Sequence, residues 1–484
     1  MKHYSTIYFR ADGNSQMGLG HLIRSLALAE ILAPEFSLHF ITRSNHEAIL
    51  SQIAEVCENY TILPPEVSTE EEVAYLLAQI LTFPSIVILD GYHFDTAYQQ
   101  TIRKKKIRLV AIDDIFQYPF WTDAIINHAG GIGPERYQAN RQTAFYLGPK
   151  YALLRRAFRL PMASPPPPNR SSHLFICLGG ADPQNDTLKV IEKCEALQVD
   201  RHLYIVLGSA NRHVALVENR LAKTTLRYTI LRNLSAAKMA SYMEDCGMAI
   251  TSPSTVAYEY LSRGGLLFLL PIAANQKHLF RYLTSEGLAL PWSQFPSVDE
   301  KLRAQLLAKQ RQVFDGQLEQ RLYKIFRDLD YQLYCRIREV NENDLHLLHR
   351  WTNDPLTRQY SSDPNPIPMV EHRQWFFEKL NNPKSFLFIL EFGAQPVGQI
   401  RFDVQENRVV ISYSISKDFR QRGFGMPLLQ NGIQQFKSKK PTPILMVGYV
   451  MKSNMASIAL FERLNFYREG VMDYGGSYLF KLKI

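Results

Sequence analysis

The segment Arg10-Ala-Asp12-Gly-Asn14-Ser-Gln16-Met-Gly-Leu-Gly20-His21 links a short apolar run to an amphipathic stretch. A glycine-rich turn between a first strand and a first helix lets backbone N–H groups and the helix N-terminus meet an anion or polar ligand. His21 stands at the start of that helix, whose positive end disfavours a second proton on the imidazole and keeps it a neutral base near about pH 7. A capping histidine is the plainer alternative. Gly179-Gly180-Ala-Asp-Pro183 reads as a second strand–turn–helix anion site, with a turn that merely closes its strand as the alternative. In Ser252-Pro-Ser254-Thr255-Val-Ala-Tyr-Glu259 a strand again meets a helix, and Glu259 lies one turn inside, able to accept hydrogen bonds from a ribose diol. Lys417-Asp-Phe-Arg420-Gln421-Arg422-Gly423-Phe424-Gly425 follows a strand ending near Ile415 and precedes a helix, an arrangement that can cradle a pyrophosphate.

These residues need elements to hold them. Apolar runs predict strands over Thr6–Phe9, Leu38–Thr42, Ile86–Leu89 and Arg108–Ile112, with a helix over Leu22–Leu32. Asp90 and Asp113-Asp114 then fall at strand C-termini, where open α/β sheets place ligands. A metal at Asp113-Asp114 is less favoured than structural or hydroxyl contacts, and no metal is expected. Ser164-Pro-Pro-Pro-Pro-Asn-Arg170 reads as an extended connector. A second α/β series follows, with strands over Leu174–Leu178, Leu203–Leu207, Met248–Thr251 and Leu266–Leu270, and helices over Thr187–Ala196, Ser235–Asp245 and Thr255–Ser262. Ser297–Asp330 is polar and helical in pattern. From Tyr334 the chain changes to two helices and the consecutive strands Phe386–Phe392, Val397–Phe402 and Val409–Ser416, a β-meander typical of an α+β unit. The expected domains are 1–163 and 170–330, two α/β lobes with a cleft between them, and 334–484.

Composition sets limits on partners. The 484 residues are 46% apolar and 21% charged, ordinary globular proportions that exclude a mainly disordered chain. The net charge of +9 is scattered in short clusters, so nucleic acid is not an expected partner, whereas anionic small molecules are. Five cysteines without metal-ligand spacing, no signal-peptide core and no long apolar run lead to the expectation of a reduced, soluble, cytoplasmic protein without a membrane partner.

On these motifs the second lobe resembles the nucleotide-binding half of two-lobed, GT-B type UDP-sugar enzymes such as MurG. There a Gly-Gly turn, a Ser/Thr-rich turn before an acidic helix and a Pro…Asn-Gln stretch (here Pro271-Ile-Ala-Ala-Asn275-Gln276) surround the UDP. The first lobe is more specific. Arg10–His21 with Arg24, Asp90-Gly-Tyr92, Asp113-Asp114, Asn127 and Tyr146-Leu-Gly-Pro-Lys-Tyr-Ala-Leu-Leu-Arg155 resemble the UDP-2,4-diacetamido-2,4,6-trideoxy-β-L-altropyranose hydrolases of pseudaminic acid synthesis, over roughly Tyr4–Ile325. The resemblance implies inverting C–O cleavage with His21 handling the water proton. It also implies sugar contacts from Arg10, Asp12, Asn14, Gln16, Gly20, Arg24, Tyr92, Asn275 and Gln276, and UDP contacts from Gly179, Gly180, Ser254, Thr255 and Glu259.

The loop Arg420–Gly425 and the downstream Asn454-Met-Ala-Ser457-Ile-Ala-Leu-Phe461-Glu-Arg-Leu-Asn465-Phe466 resemble the GNAT superfamily of N-acetyltransferases. The resemblance implies acetyl-CoA as co-substrate, held by Ile415, Arg420, Gln421, Arg422, Gly423, Phe424, Gly425 and Asn454. Phe461 stands where many members carry a tyrosine that protonates the leaving thiolate, and Asn465 replaces a glycine. Tyr449 and Glu391 are candidates for the general base, with structural roles as the alternative. Together the halves imply two consecutive steps on UDP-amino sugars: acetylation of a 4-amine, then removal of UDP. Other enzymes of the same sugar pathway are candidate partners. A glycosyltransferase fused to an acyltransferase, and a hydrolase carrying a non-catalytic CoA-binding module, are the competing readings.

Overall fold

The computed structural model describes residues 5–13, 19–103, 106–159, 170–180, 182–208, 210–361, 363–440, 445–472 and 477–483. They pack as two units, 1–325 and 326–484. The connector before Arg170 lies outside the described residues.

The first unit holds two sheets. One contains β1 (Thr6–Ala11), β2 (Ser37–Thr42), β3 (Asn59–Ile62), β4 (Ser85–Asp90), β5 (Ile107–Ile112), β6 (Ala124–Asn127) and β7 (Ala144–Leu147), in the order β3-β2-β1-β4-β5-β6-β7. The other contains β8 (His173–Cys177), β9 (His202–Val206), β10 (Tyr228–Leu231), β11 (Met248–Thr251), β12 (Leu266–Leu269) and β13 (Leu290–Pro291), in the order β10-β9-β8-β11-β12-β13. Every pairing in both is parallel. Central strands are buried on both faces, which is why β4, β6, β11 and β12 are runs of aliphatic residues rather than alternations. Ser235 caps the helix Ala236–Glu244 by accepting from the Lys238 N–H, and Gly264, at φ +65°, closes the helix Thr255–Arg263. The polar stretch after Ser297 forms two helices, Glu300–Val313 and Leu318–Tyr334.

The second unit is built on β14 (Cys335–Glu339), β15 (Ser385–Phe392), β16 (Gln395–Gln405), β17 (Arg408–Ile415), β18 (Leu445–Met451), β19 (Tyr467–Met472) and β20 (Ser477–Lys483), in the order β14-β15-β16-β17-β18-β20-β19. The expected meander is the antiparallel run β15 to β17, and β14 pairs antiparallel with β15. The helix Gly425–Lys439 crosses over between β17 and β18, so this pair is parallel. Its register runs from Arg408↔Leu445 to Ile411↔Gly448, although β17 continues to Ile415 and β18 to Met451, so the two strands part company beyond that point.

Candidate active sites

The carboxyl ends of β1 and β4 are neighbours where the strand order of the first sheet reverses, the crevice at which open α/β sheets bind ligands. Asp90, the last residue of β4, is 1% exposed there. Arg24 donates Nε to both of its oxygens (3.0 and 2.9 Å) and Nη2 to Oδ1 (2.6 Å). Ser25 Oγ donates to Oδ2 at 2.8 Å, and His21 Nδ1 lies 2.7 Å from Oδ1. Burial alone would raise the Asp90 pKa, but the Arg24 charge and the hydrogen bonds from His21 and Arg24 outweigh it and hold the carboxyl below its ordinary value. An ionised carboxylate only accepts, so His21 Nδ1 carries a proton and donates it to Asp90, which leaves Nε2 as the ring nitrogen facing away from that carboxylate. Arg24 Nη2 also approaches Nδ1 at 3.0 Å, but a protonated Nδ1 cannot accept from it, and the shorter bond to Oδ1 engages that N–H.

His21, Arg24 and Ser25 are spaced i, i+3, i+4 on the helix Gly20–Leu32 and therefore share one face. No side chain among the described residues caps that helix, and its first turn carries no acidic residue. The Tyr92 ring meets His21 edge-on at 4.7 Å, and burial together with Asp114 pushes its hydroxyl up to about 12. Asp114 in turn accepts from Arg24 Nη1 at 2.9 Å. Asp113 accepts from the Phe116 N–H, and burial raises its pKa, whereas Asn127 donates to the Tyr137 hydroxyl.

Arg10 has no exposed surface to offer a ligand. Its guanidinium donates to both Glu72 oxygens (2.7 and 3.0 Å) and pairs with Asp12 at 2.6 Å, so it acts on the crevice by holding Asp12 at the end of β1. Glu72 also accepts from Arg43 and from the Tyr98 hydroxyl. Asn14 and Gln16 lie outside the described residues.

In the second lobe the turns after β8 and β9 touch backbone to backbone: a Cβ on Gly208 would lie 2.3 Å from the Gly180 carbonyl oxygen. Gly179, at φ +98°, brings this turn beside Ser252. The helix that follows does not present its N-terminus to a ligand as expected, because buried Asp182 accepts from the N–H groups of Asp186 (2.8 Å) and Thr187 (2.9 Å). The helix Thr255–Arg263 differs. Its N-cap, Ser254, makes no side-chain cap and instead lies 3.2 Å from the Ser252 hydroxyl, so no side chain caps the Thr255 and Val256 N–H groups, while the Ala257 N–H donates to the Ser254 carbonyl. Glu259 accepts a two-pronged hydrogen bond from Arg155 (2.8 and 3.0 Å), and burial raises its pKa despite that partner. Gln276 Oε1 accepts from the Ile272 N–H, and the backbone of Asn275 lies in the adjoining 3-10 turn Ala274–Gln276.

The lobes meet at the segment after β6. Tyr258 donates to the His128 carbonyl (3.0 Å), His278 Nε2 to that of Gly130 (2.9 Å), and the Tyr282 ring packs where Gly130 lacks a Cβ. Burial and the charge of Arg24 push the His128 imidazole down to about 4. The pairing of Asp90 with His21 and the nearness of His128 are the features that sequence reasoning missed. The one-face spacing of His21, Arg24 and Ser25 was the available signal for the first.

In the second unit the loop after Ile415 takes left-handed conformations at Gln421 (φ +60°) and Gly423 (φ +87°), which turn successive N–H groups toward one side. It leads into the helix Gly425–Lys439, which has no side-chain cap and no acidic residue in its first turn. That cradle suits a diphosphate. Phe424 anchors it by stacking on Tyr331 at 5.0 Å, and a Cβ on Gly425 would meet Leu460 at 2.8 Å. Arg420 donates Nε to the Ile415 carbonyl and Nη2 to Thr357, and pairs with Asp354. The Arg422 guanidinium sits over Phe419. Asn454 Oδ1 caps the helix Met455–Arg463 by accepting from the Ser457 N–H. Asn465, at φ +61°, adopts the conformation a glycine would. Glu391 accepts from Arg338 at 2.6 Å, and Tyr449 is 39% exposed.

Residues 335–467 match the acetyltransferase (GNAT) domain family. The fold at the C-terminus is a GNAT fold, and acetyl-CoA is its co-substrate. Over 484 aligned residues the chain is 23% identical to the protein MJ1062 of Methanocaldococcus jannaschii, covering 94% of this chain and 95% of that one. It is 26% identical to the spore coat polysaccharide biosynthesis protein SpsG of Bacillus subtilis, over 58% of this chain and 81% of SpsG. Among solved structures, spermidine N-acetyltransferase from Vibrio cholerae in complex with CoA and spermine is 14% identical, covering 31% of this chain and 95% of its own, with a TM-score of 0.28. No group of three or more His, Cys, Asp or Glu side chains among the described residues could hold a metal ion. No described helix is long and apolar enough to cross a membrane.

Proposed function

We propose that this chain joins two consecutive steps of pseudaminic acid synthesis. Its acetyltransferase domain acetylates the 4-amine of UDP-4-amino-4,6-dideoxy-β-L-AltNAc. Its N-terminal lobes, 1–163 and 170–330, pair as a GT-B enzyme that hydrolyses the product, UDP-2,4-diacetamido-2,4,6-trideoxy-β-L-altropyranose, to UDP and free sugar. The relationship to SpsG supports work on sugars, and the observation that carries the hydrolase reading is His21 on buried, ionised Asp90 at the β1/β4 crevice.

In this reading a water molecule gives a proton to His21 Nε2 as its oxygen bonds to the anomeric carbon, and the bond from that carbon to the diphosphate oxygen breaks. Asp90 balances the imidazolium that forms. The departing UDP gains negative charge, and the uncapped Thr255 and Val256 N–H groups at the start of the helix Thr255–Arg263 are the donors for it. A single such donor contributes ~2.7–4 kcal/mol at a transition state. Tyr92, Asp12 and Asn275 contact the sugar, and Glu259 with Arg155 faces the ribose. In the acetyltransferase domain, acetyl-CoA supplies the acyl group. The loop Gln421–Gly425 binds and orients it, and proximity to the amine accounts for most of the rate. The protein works in the cytoplasm on UDP-amino sugars, beside other enzymes of the pathway.

Supplying the 4-amino sugar nucleotide with acetyl-CoA and following CoA and UDP separately tests this. CoA release must precede UDP release, and UDP must form without any added sugar acceptor. UDP formation that requires an acceptor sugar makes the first unit a glycosyltransferase instead.

A further inference from the structure

The charges around His21 do not cancel in pairs. Arg24, one turn along the same helix, is shared between two carboxylates. It grips Asp90 through Nε and Nη2 and gives Nη1 to Asp114 Oδ2 at 2.9 Å. The Arg24 side chain is 12% exposed, that of Asp90 1% and that of Asp114 30%. One guanidinium against two carboxylates leaves the group with one net negative charge while the imidazole is neutral. Asp90 by itself does not supply that charge, because Arg24 meets it directly and also brings Nη2 to 3.0 Å from the His21 ring. The neighbouring side chains do not alter the count. Burial above all pushes the Tyr92 hydroxyl up to about 12 and the His128 imidazole down to about 4, so both are uncharged near neutral pH. Burial, then Arg10, holds His93 below its ordinary value too. Arg10 and Arg43 are matched by Asp12 and Glu72. Asp113 is engaged elsewhere, by the Phe116 N–H and by Tyr137.

We propose that Asp114 is a positioning residue for His21 that acts through Arg24, engaging part of the guanidinium charge so that the His21–Asp90 pair keeps a negative charge for the imidazolium to meet. The inference rests on the hydrolase reading of the first unit. In that reaction the water proton passes to His21 Nε2, the water oxygen bonds to the anomeric carbon, and the electron pair of the broken C–O bond leaves with the diphosphate. With Asp114 ionised, the arriving proton brings the group of His21, Asp90, Arg24 and Asp114 to neutrality. Without that charge the same step leaves a net positive charge beside side chains nearly sealed from water, and a buried charge without a partner is costly.

Asp114→Asn keeps an oxygen for Arg24 Nη1 and removes only the charge, whereas Asp114→Glu keeps the charge. The test is the titration of the His21 ring, followed by NMR in the full chain without substrate, its signal assigned by its loss in His21→Gln. A unit charge at this range, partly screened at the exposed edge of Asp114, moves a titration by about one unit. Asp114→Asn is expected to lower the midpoint of the ring by about one unit, and Asp114→Glu to hold the wild-type midpoint. In turnover Asp114→Asn slows UDP release about tenfold at unchanged KM, and the acid limb of kcat/KM moves down with the midpoint. A ring that titrates alike in wild type and Asp114→Asn, with the variant folded by circular dichroism, overturns the proposal. A rise in KM without a fall in kcat also overturns it, because Asp114 would then be a substrate contact. A wild-type chain that releases no UDP defeats the hydrolase reading instead, and the ring titration still decides the charge count.

Discussion

Asp90→Asn tests the centre of the first unit. The substitution keeps the side-chain shape and one acceptor oxygen but removes the charge that Arg24, Ser25 and His21 surround. Breaking a buried ion pair costs about 3–5 kcal/mol, and the lower end applies because Arg24 retains Asp114 at 2.9 Å. The catalytic loss is larger than one contact suggests. An asparagine amide turned toward Nδ1 donates to it, which moves the ring proton to Nε2 and removes the base. Loss of a charge-assisted hydrogen bond alone slows a reaction by roughly ten- to a hundredfold, and a wrong tautomer adds to that.

The pH dependence has a definite sign. Asp90 ionises below its ordinary value in the fold, so its contribution is complete above the unfolded pKa of about 3.9 and is lost as pH falls through the folded value. The stability gap between wild type and variant should be full at about pH 7 and close in acid. Urea midpoints at several pH values, together with UDP release from the diacetamido sugar nucleotide, measure both effects. A variant as stable as wild type at neutral pH, a gap that widens in acid, or UDP release within about twofold of wild type would refute the reasoning.

Three further outcomes are expected. His21→Ala stops UDP release and leaves CoA release intact, whereas Gly423→Asp, at φ +87° and with its new side chain against Asp328, stops CoA release and leaves hydrolysis of pre-acetylated substrate intact; parallel assays on folded variants check this. Glu72→Gln loses about 3–5 kcal/mol at neutral pH and less in acid, because hydrogen bonds and charge from Arg10, with Arg43 and Tyr98, outweigh burial and depress the Glu72 pKa; denaturant titration reads it. Gly130→Ala, whose methyl would lie 1.9 Å from the Tyr282 ring, lowers stability by about 1–3 kcal/mol, and adding Tyr282→Ala relieves that particular clash; melting temperatures of the single and double variants decide it.

Sequence reasoning reached strands such as β4, β11 and β12 that are continuous aliphatic runs, because burial on both faces selects that composition, but it missed the equally buried four-residue β6. It passed over β3, whose Asn59–Ile62 is mostly exposed, and β13, which is two residues long, since neither carries a periodic apolar signal. Glu72 shows a deeper limit. Within Glu70-Glu71-Glu72 it reads as part of a solvated acidic face, yet it turns inward to Arg10, a partner 62 positions away that no local pattern reveals. Asp182 shows another. Its motif promises an anion site, but its left-handed backbone (φ +42°) accompanies a carboxylate that satisfies the helix start itself. Asn454 likewise caps its own helix. In each case the residue type was legible and the partner was not, because the partner is chosen by tertiary packing.

Asp182 also bears on how an elongated ligand is oriented in the second lobe. One helix start there is filled by the protein's own carboxylate, and the neighbouring one, before Thr255, carries no side-chain cap. On the proposed reading, a molecule with a charged middle and two unlike ends would lay its charge at the start before Thr255, and a shift toward the turn after β8 would press phosphate oxygens onto Asp182. On that same reading, the lobe would sort its guest by polarity along its length as well as by composition.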